Sequence, residues 1–371
     1  ETALNDSALL KAICNNPSVA GCPLINQQFS MGKTRLGSTL AILAMGLVIA
    51  QAVRPVSESR VQADAKIDAG KGRKKHDVPF TSPLGYFIQE RASKQLPGPG
   101  QHFQFGALKG WEEVTRYVST TPDTKLVLLV RHGQALSNWL QDTLGPDEWF
   151  NVEDKCSYDD KNGTVYGVFD AELTQLGKDQ GSYLNTILNG GGWFARMSGN
   201  LTARAIVSPL SRCLQTAQLV GSGLPIKAWS VEEYVRETLG EDTCDARRSV
   251  SDPDPRVPVK GPCSFEKGLR SKFPQFEFPL VGSLGDRTAA NGGFGLISDP
   301  DLLWTKDRET QKEQTKRATN FLYNLFAYAP EKVIVVFTHS GFTRSVLLAV
   351  EREPYRPQNT ELVPVIITKT E

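Results

Sequence analysis

Two histidines, each at the end of a short apolar run and each followed closely by glycine, are the residues best placed to do chemistry. His132 follows Arg131 and the run 125–130, and His339 follows the run 332–338. Runs that are apolar on both faces predict buried strands of a parallel sheet covered by helices. A cation and an imidazole at a strand end, ahead of a helix N-terminus, are typical of a phosphate site.

A third strand-to-helix segment, residues 203–217, adds a second arginine. The strand is expected to end at Ser208, and the helix to begin at Pro209 or Ser211, which places Arg212 in its first turn. A cation there opposes the helix dipole unless it meets an anion. We therefore interpret Arg212 as a second phosphate clamp, with a surface arginine as the alternative.

A fourth strand, ending near Val231, leads into three acids. Glu232, Glu233 and Glu237 all lie here, and the motif alone does not choose between them. Since parallel strands end along one edge of a sheet, the four segments are expected to converge.

Other signals concern the elements that position these residues. Spacing predicts a helix over 111–118. Thr174 is predicted to cap another helix, in which Gly177 allows close packing. Asp170 is interpreted as a loop carboxylate that orients a neighbouring arginine.

Length and charge limit the class of protein. The chain has 371 residues, 40% of them hydrophobic, so it can bury a sizeable core. Lys and Arg number 42 against 41 for Asp and Glu, which argues against a nucleic-acid partner. Six cysteines lack the spacing of a metal site.

The N-terminal part is predicted to lie outside the fold. Residues 1–30 are expected to be unstructured, and residues 31–52 have the layout of a signal peptide, with an uncharged run ending in Ala-Gln-Ala. A signal anchor is the first alternative, with residues 36–53 as the only membrane contact, and an ordinary buried helix is the second. The protein is thus expected in the secretory pathway or secreted, and in the cytoplasm if the signal does not function. Residues 53–81 are interpreted as a linker, and 82–371 as the folded domain.

The site segments together resemble the histidine phosphatase superfamily in its phosphoglycerate-mutase-like branch. The order of the motifs matches, from Arg131-His132-Gly133 with Asn138 to Thr338-His339-Ser340-Gly341. The resemblance implies a three-layer α/β/α fold with a mostly parallel sheet. It implies that His132 is the nucleophile and that Glu237 occupies the acid position. The implied phosphate and substrate contacts are Arg131, Asn138, Arg212, His339 and Ser340.

This resemblance implies hydrolysis of a small phosphorylated metabolite through a phosphohistidine, without a metal or other cofactor. One alternative is phosphoglycerate-mutase-type phosphoryl transfer. It is less favoured because Gln134 and Ser137-Asn138 replace the glutamate and the tryptophan-asparagine pair of the close mutase pattern. A second alternative is a non-catalytic binding module of the same fold.

A long insertion, about 241–303, is expected to cap the site and select the substrate. Arg247 and Arg248 are candidate contacts to a second anionic group, with solvated surface arginines as the alternative. If the chain is secreted, Cys244 and Cys263 could form a disulfide, whereas Cys213 is expected to be a buried thiol.

Overall fold

The computed structural model describes residues 79–91, 101–257 and 261–370. The predicted upstream segment 1–30 and signal peptide 31–52 lie outside the described residues, as does most of the predicted linker. None of the helices in the described ranges is long and apolar enough to span a bilayer.

A six-stranded sheet forms the centre of the domain, in the order β1-β8-β2-β7-β5-β6. Strands β2, β7, β5 and β6 are parallel, whereas β8 runs antiparallel to β2 and β1 antiparallel to β8. The strand bounds, including the separate hairpin β3-β4, are β1 Phe80–Thr81, β2 Thr124–Arg131, β3 Ser157–Asp159, β4 Val165–Gly167, β5 Ala203–Val207, β6 Ile226–Val231, β7 Val333–Thr338 and β8 Leu362–Lys369.

Helices cover both faces of this sheet and confirm the three-layer α/β/α architecture. The α-helices within the described residues are α1 Trp111–Thr120, α2 Leu136–Trp149, α3 Gln175–Asn185, α4 Trp193–Ser198, α5 Ser211–Val220, α6 Leu269–Lys272, α7 Gln311–Tyr328 and α8 Ser340–Ala349. Helices α1, α3, α4 and α5 pack on one face, and α7 and α8 on the other.

Strand β2 shows why the sheet needs both helical layers. Its residues alternate in direction, so that Leu126 and Leu128 join the core under α1 and α5, while Val127 and Leu129 join the core under α7 and α8. All four side chains are fully buried. The uninterrupted apolar run was therefore a correct signal of a strand buried on both faces.

The sheet begins slightly earlier than the sequence predicted. Phe80 and Thr81 pair with Lys369 and Thr368 of β8, and the Phe80 ring is fully buried. These two residues lie within the predicted linker 53–81, so the expected boundary at residue 82 is wrong by two residues. A two-residue edge strand is too short to produce an alternating pattern.

The described part of the insertion is mostly irregular chain with three short helical turns, and some of it belongs to the core. Phe273, Phe278 and Leu296 are buried against the same face of the sheet as α5. Folding of the insertion is thus coupled to folding of the sheet, because its aromatic side chains complete one of the two main cores.

The predicted disulfide between Cys244 and Cys263 is wrong. Cys263 is bonded to Cys156, 107 residues earlier in the chain, and Cys244 is a free, buried thiol. The β3-β4 hairpin brings Cys156 against the insertion, a long-range contact that cysteine positions alone do not encode. Cys213 is a buried free thiol, as predicted.

Candidate active site

The predicted strand exits converge at one edge of the sheet. Arg131, the last residue of β2, pairs in register with Thr338, the last residue of β7. His132 and His339 follow at the same level, and their ring centroids lie 5.1 Å apart. Helix α8 after β7 packs on one face, whereas α5 after β5 packs on the other. In α/β sheets, ligands bind at such a divergence of neighbouring connections.

Gly133 is required for the turn that follows. A Cβ atom on Gly133 would collide with the backbone carbonyl oxygen of Gly177, and one on Gly177 would collide with that of Gln134. Thr174 caps α3 as predicted, accepting a hydrogen bond from the Gly177 N–H at 3.1 Å. The close contact of these two glycines lets α3 support the turn that carries His132.

His132 is oriented through both ring nitrogens. Nδ1 lies 2.7 Å from the carbonyl oxygen of Gly133. Because a carbonyl oxygen can only accept a hydrogen bond, Nδ1 carries the proton. Nε2 in turn accepts a hydrogen bond from Nε of Arg212 at 3.2 Å. This tautomer leaves Nε2 unprotonated, as a nucleophile requires.

The electrostatic surroundings keep both imidazoles neutral. Burial, Arg212, His339 and Arg131 hold the pKa of His132 well below its usual value of 6.5. Burial and Arg212 likewise hold the pKa of His339 well below 6.5. His339 Nε2 lies 2.8 Å from Ser208 Oγ, and Cys213 Sγ lies 3.4 Å from the same nitrogen. A neutral imidazole is the form that can attack phosphorus.

Arg131 is held by a loop that the sequence did not single out. Its Nη1 donates to the Pro357 carbonyl oxygen at 3.0 Å. The Asn359 side chain donates to the His132 carbonyl at 3.1 Å, and the Thr360 N–H donates to the Arg131 carbonyl at 3.1 Å. The loop between α8 and β8 therefore fixes the backbone of both residues, and no local motif signals that role.

Arg212 is almost fully buried beside His132. Its Nη1 donates to the Cys244 carbonyl at 2.6 Å and its Nη2 donates to Asp245 Oδ1 at 2.7 Å. The start of the insertion thus contacts the predicted phosphate clamp. Sequence reasoning missed Asp245 because it lies 33 residues from Arg212, in a segment without strand or helix periodicity.

The structure distinguishes the three acids after β6. Glu232 pairs with Arg287 and Glu233 pairs with Arg236 and Arg247, all of them buried. Both carboxylates are therefore structural counter-ions. The third, Glu237, lies instead at the sheet edge where the strands before His132 and His339 end.

Glu237 is bound by backbone and surrounded by cations. Its Oε2 accepts from the Gly341 N–H at 3.1 Å and its Oε1 from the Thr238 N–H at 3.0 Å. Burial opposes ionisation, but Arg356, these N–H groups and Arg212 lower the pKa of Glu237 to about 2. Glu237 is thus a carboxylate in the free protein, and it is the acid that lies at this strand edge.

The predicted substrate contact of Arg247 is contradicted, whereas that of Arg248, whose side chain is partly exposed, stays a prediction. The Arg247 guanidinium is buried and bonds Glu233 at 2.9 Å together with three backbone carbonyls of residues 298–300. Nε of Arg248 donates to Asp170 at 3.0 Å. Asp170 also accepts from the Ser211 N–H at 2.8 Å, which fixes the start of α5. Two adjacent arginines resemble an anion site in sequence, but buried acids from distant segments already pair with them.

Two further predicted contacts lie at the edge of the site. Asn138 Oδ1 accepts from the Ala135 N–H at 3.0 Å and caps α2, and it lies 3.5 Å from the Asn359 amide. Ser340 is the first residue of α8, directly after His339. Their roles as substrate contacts stay predictions.

Two groups of side chains in the described residues have the composition of a metal site, and they share Asp242; the second consists of Glu153, Glu241 and Asp242. Ligand atoms of Asp242, Cys244 and Asp245 lie within 4.8 Å of one another. In the first group, which includes Cys244, Arg308 already binds the carboxylates of both Asp242 and Asp245, at 2.9 and 3.3 Å, and Arg212 binds that of Asp245 at 2.7 Å. Two guanidinium groups beside these carboxylates would repel a metal cation, so we assign no metal to Asp242, Cys244 and Asp245.

Comparison with known proteins identifies the family. The model of the histidine phosphatase superfamily (branch 1) matches residues 127–243. Phosphoglycerate mutase-like protein 1 of Arabidopsis thaliana is 31% identical over 258 residues, which cover 62% of this chain and 73% of the relative. The chain belongs to the histidine phosphatase superfamily. Within it, a protein of Arthroderma benhamiae named "Probable phosphoglycerate mutase" is 25% identical over 91% of both chains.

The chain is also similar to phosphatases among solved structures. Phosphoserine phosphatase from Entamoeba histolytica, determined with 3-phosphoglyceric acid, is 16% identical and has a TM-score of 0.31. The match covers 66% of this chain and 98% of that one. Family membership rests on the sequence matches.

Proposed function

We propose that this histidine phosphatase superfamily member is a metal-independent phosphatase that hydrolyses small phosphomonoesters through a phosphohistidine. The observation that supports this most directly is the orientation of His132. Its protonated Nδ1 faces a backbone carbonyl, and its Nε2 lone pair faces Arg212. Buried cations around a neutral nucleophile suit a phosphoryl group, whose charge lies on its equatorial oxygens.

In the first step His132 Nε2 attacks phosphorus, the bond to the ester oxygen breaks, and the phosphoryl group is transferred to the imidazole. Arg131 and Arg212 neutralise the equatorial oxygens. The incoming phosphate carries about −1.5 to −2 charges, and this charge raises the pKa of His339, so that it can donate to a phosphate oxygen.

Glu237 is the proposed proton carrier, and its state in the free protein constrains when it acts. Its pKa of about 2 means that it enters the cycle as a carboxylate. A bound phosphate neutralises Arg212 and the other nearby cations, which raises the pKa of Glu237. Glu237 can then take a proton from a phosphate monoanion, pass it to the leaving alkoxide, and later take a proton from the attacking water.

Phosphoglycerate-mutase-type transfer is the second candidate, favoured by the names of the curated relatives. A mutase must hold a bisphosphate, and so needs cations for a second phosphate. In the insertion, Arg247 forms an ion pair with Glu233, and Arg248 forms one with Asp170. The Gln134 side chain, at a position where the close mutase pattern has glutamate, accepts from the Thr174 hydroxyl at 2.8 Å. Because these side chains are already paired within the protein, the contacts favour hydrolysis over transfer.

The deciding experiment supplies purified protein with a panel of phosphorylated metabolites in the presence of EDTA, beside a mutase assay with bisphosphoglycerate. We expect release of inorganic phosphate and an acid-labile phosphoenzyme after a rapid acid quench. Transfer between positions without release would select the mutase, and the absence of both would leave a binding module.

We also propose that the protein enters the secretory pathway. The predicted signal peptide motivates this, and the Cys156–Cys263 disulfide is of a type that persists in oxidising compartments. Expression from Met31 in a eukaryotic cell should give a product that begins near Val53. An uncleaved product in the cytosol would reject the proposal.

A further inference from the structure

The guanidinium of Arg212 is fixed on three sides in the free protein. Nε donates to His132 Nε2 at 3.2 Å, Nη1 to the Cys244 carbonyl at 2.6 Å and Nη2 to Asp245 Oδ1 at 2.7 Å. Of these three partners, only Asp245 carries a charge opposite to that of the arginine. The side chains of Arg212 and Asp245 are both at least 95% buried, so little water screens the pair.

Asp245 is itself held firmly. Its second oxygen, Oδ2, accepts from Arg308 Nη1 at 3.3 Å, and its backbone carbonyl accepts from Arg236 Nη2 at 2.6 Å. Arg236 is in turn bonded to Asp301 through both of its terminal nitrogens. Asp245 is therefore held by a network of ion pairs and hydrogen bonds, which connects the insertion to the edge of the sheet.

Arg212 needs such a support for electrostatic reasons. It lies in the first turn of α5, where the helix dipole opposes a cation, and Arg131 adds further positive charge nearby. In the free protein, carboxylates of the protein itself oppose this positive charge, Asp245 most strongly and Glu237 more weakly. A buried arginine without that partner would leave its position or lose its fixed rotamer.

We propose that Asp245 is a positioning residue for phosphoryl transfer, which holds Arg212 in the orientation that stabilises the pentacoordinate transition state at His132. This inference rests on the proposed function. With this role, the start of the insertion contributes to the rate of phosphoryl transfer rather than to the selection of substrate. Asp245 acts through Arg212 and needs no contact with substrate.

The neighbouring Asp242 offers a matched control. Its Oδ2 accepts from the same Arg308 Nη1, at 2.9 Å. Within the described residues, none of the bonds made by Arg212 goes to Asp242. Asp242→Asn and Asp245→Asn thus remove the same charge from the same cluster, three residues apart, and differ in which of them touches Arg212.

The test compares the two asparagine variants with wild type in three measurements: kcat and KM on para-nitrophenyl phosphate, dissociation constants for inorganic phosphate and orthovanadate, and the thermal midpoint. Vanadate adopts the trigonal-bipyramidal geometry of the transition state, and phosphate does not. Misplacing a positioning group costs roughly 100-fold in rate. For Asp245→Asn we therefore expect kcat to fall roughly 100-fold and vanadate binding to weaken by a similar factor.

Phosphate binding and KM should stay within about threefold in Asp245→Asn, because ground-state affinity needs charge more than orientation. Asp242→Asn should stay within about threefold of wild type in kcat and in both dissociation constants, since Arg212 keeps its partner. The thermal midpoint of Asp245→Asn is expected to fall in either case, because Asp245 is the buried partner of Arg212, and it sets the temperature at which the binding assays use folded protein. A merely structural role of Asp245 would weaken phosphate and vanadate binding in parallel.

Asp245→Ala is the second variant and should reproduce the split between phosphate and vanadate. The inference is overturned if the vanadate-to-phosphate preference is unchanged in Asp245→Asn, or if Asp242→Asn loses as much. The binding measurements need no turnover. A wild-type protein that releases no phosphate from any substrate therefore rejects the proposed function, while the preference for vanadate still decides the role of Asp245.

Discussion

The two sides of the candidate site are built by different means. On one side, His132 and His339 stand at the ends of β2 and β7, where the sheet fixes the backbone and apolar residues fill both faces. On the other side, the insertion reaches Arg212 through Asp245, and a series of buried ion pairs holds it there. The sheet side depends on backbone and burial, and the insertion side depends on charge pairing.

This difference separates residues that are expected to control rate from residues that are expected to control stability. Substituting a side chain at a strand end changes the chemistry and leaves the core intact. Substituting a buried charge of the insertion leaves its partner unpaired, which is costly whatever the chemistry. Arginines and acids that look alike in sequence should therefore give opposite kinds of variant.

The largest effect is expected from His132→Ala. Loss of a nucleophile removes the phosphohistidine route, so kcat should fall by roughly 10³-fold or more, as it does for nucleophiles elsewhere. The thermal midpoint should stay near that of wild type, since the ring is not part of either main core. Substantial turnover in this variant, or an undiminished phosphoenzyme after acid quench, would contradict the assignment of the nucleophile.

Glu237→Gln should act selectively on the same side of the site. A general acid contributes about 10²–10⁴-fold when the leaving group is an alkoxide. Turnover of an alkyl phosphate should therefore fall by that factor, while para-nitrophenyl phosphate, whose leaving group is stable without a proton, should lose much less. The two substrates control for each other.

Equal losses on both would instead mean that Glu237 only orders the phosphate-binding cations. Glu232 and Glu233 are unsuitable as inert controls for this experiment, although they precede Glu237 by only a few residues. Each is a buried counter-ion of an arginine, so glutamine at either position is expected to destabilise the protein strongly, whatever its effect on catalysis.

Arg247→Gln tests the insertion side. Removing one partner of a buried ion pair typically costs about 3–5 kcal/mol, and Arg247 is the partner of Glu233. We expect a drop of this size in the free energy of unfolding, measured in urea, with KM of the remaining folded protein unchanged. A raised KM at unchanged stability would restore the substrate contact that the sequence predicted.

Cys263→Ser should produce a smaller loss. The Cys156–Cys263 bond closes a long loop, and disulfides contribute typically 2–4 kcal/mol by restricting the unfolded chain. Cys244→Ser is the matched control, because it removes a buried free thiol that takes no part in the disulfide. The number of free thiols exposed by unfolding should therefore fall only by that one. A Cys156–Cys244 disulfide in Cys263→Ser, found by peptide mapping, would show that Cys244 can replace Cys263.

The sequence predicted the sheet side well because its signals are local. The apolar run before His132, the glycine after it and the cap at Thr174 are each visible within a few residues. The order of the segments then indicated which strand ends meet. Even the position of Arg212 followed from the start of a helix.

The insertion side could not be predicted in the same way, because its partners are far apart in sequence. Asp245 pairs with Arg212 across 33 residues and Arg236 pairs with Asp301 across 65. No periodicity marks such pairs, so the adjacent Arg247 and Arg248 were interpreted as ligands for an external anion. The disulfide partner of Cys263 was missed for the same reason.

The pairing of β1 with β8 has a consequence for how the domain can be handled. The Thr370 N–H donates to the Pro79 carbonyl at 2.9 Å, so the two ends of the sheet domain lie side by side. Strand β8 starts beside Val130, near His132, and ends beside Thr124. Seven residues of strand span roughly 20 Å, which separates both ends from the site by about that distance. Immobilisation through either end should leave the site accessible, and a circular permutant that joins residue 370 to residue 79 by a short linker should retain the sheet.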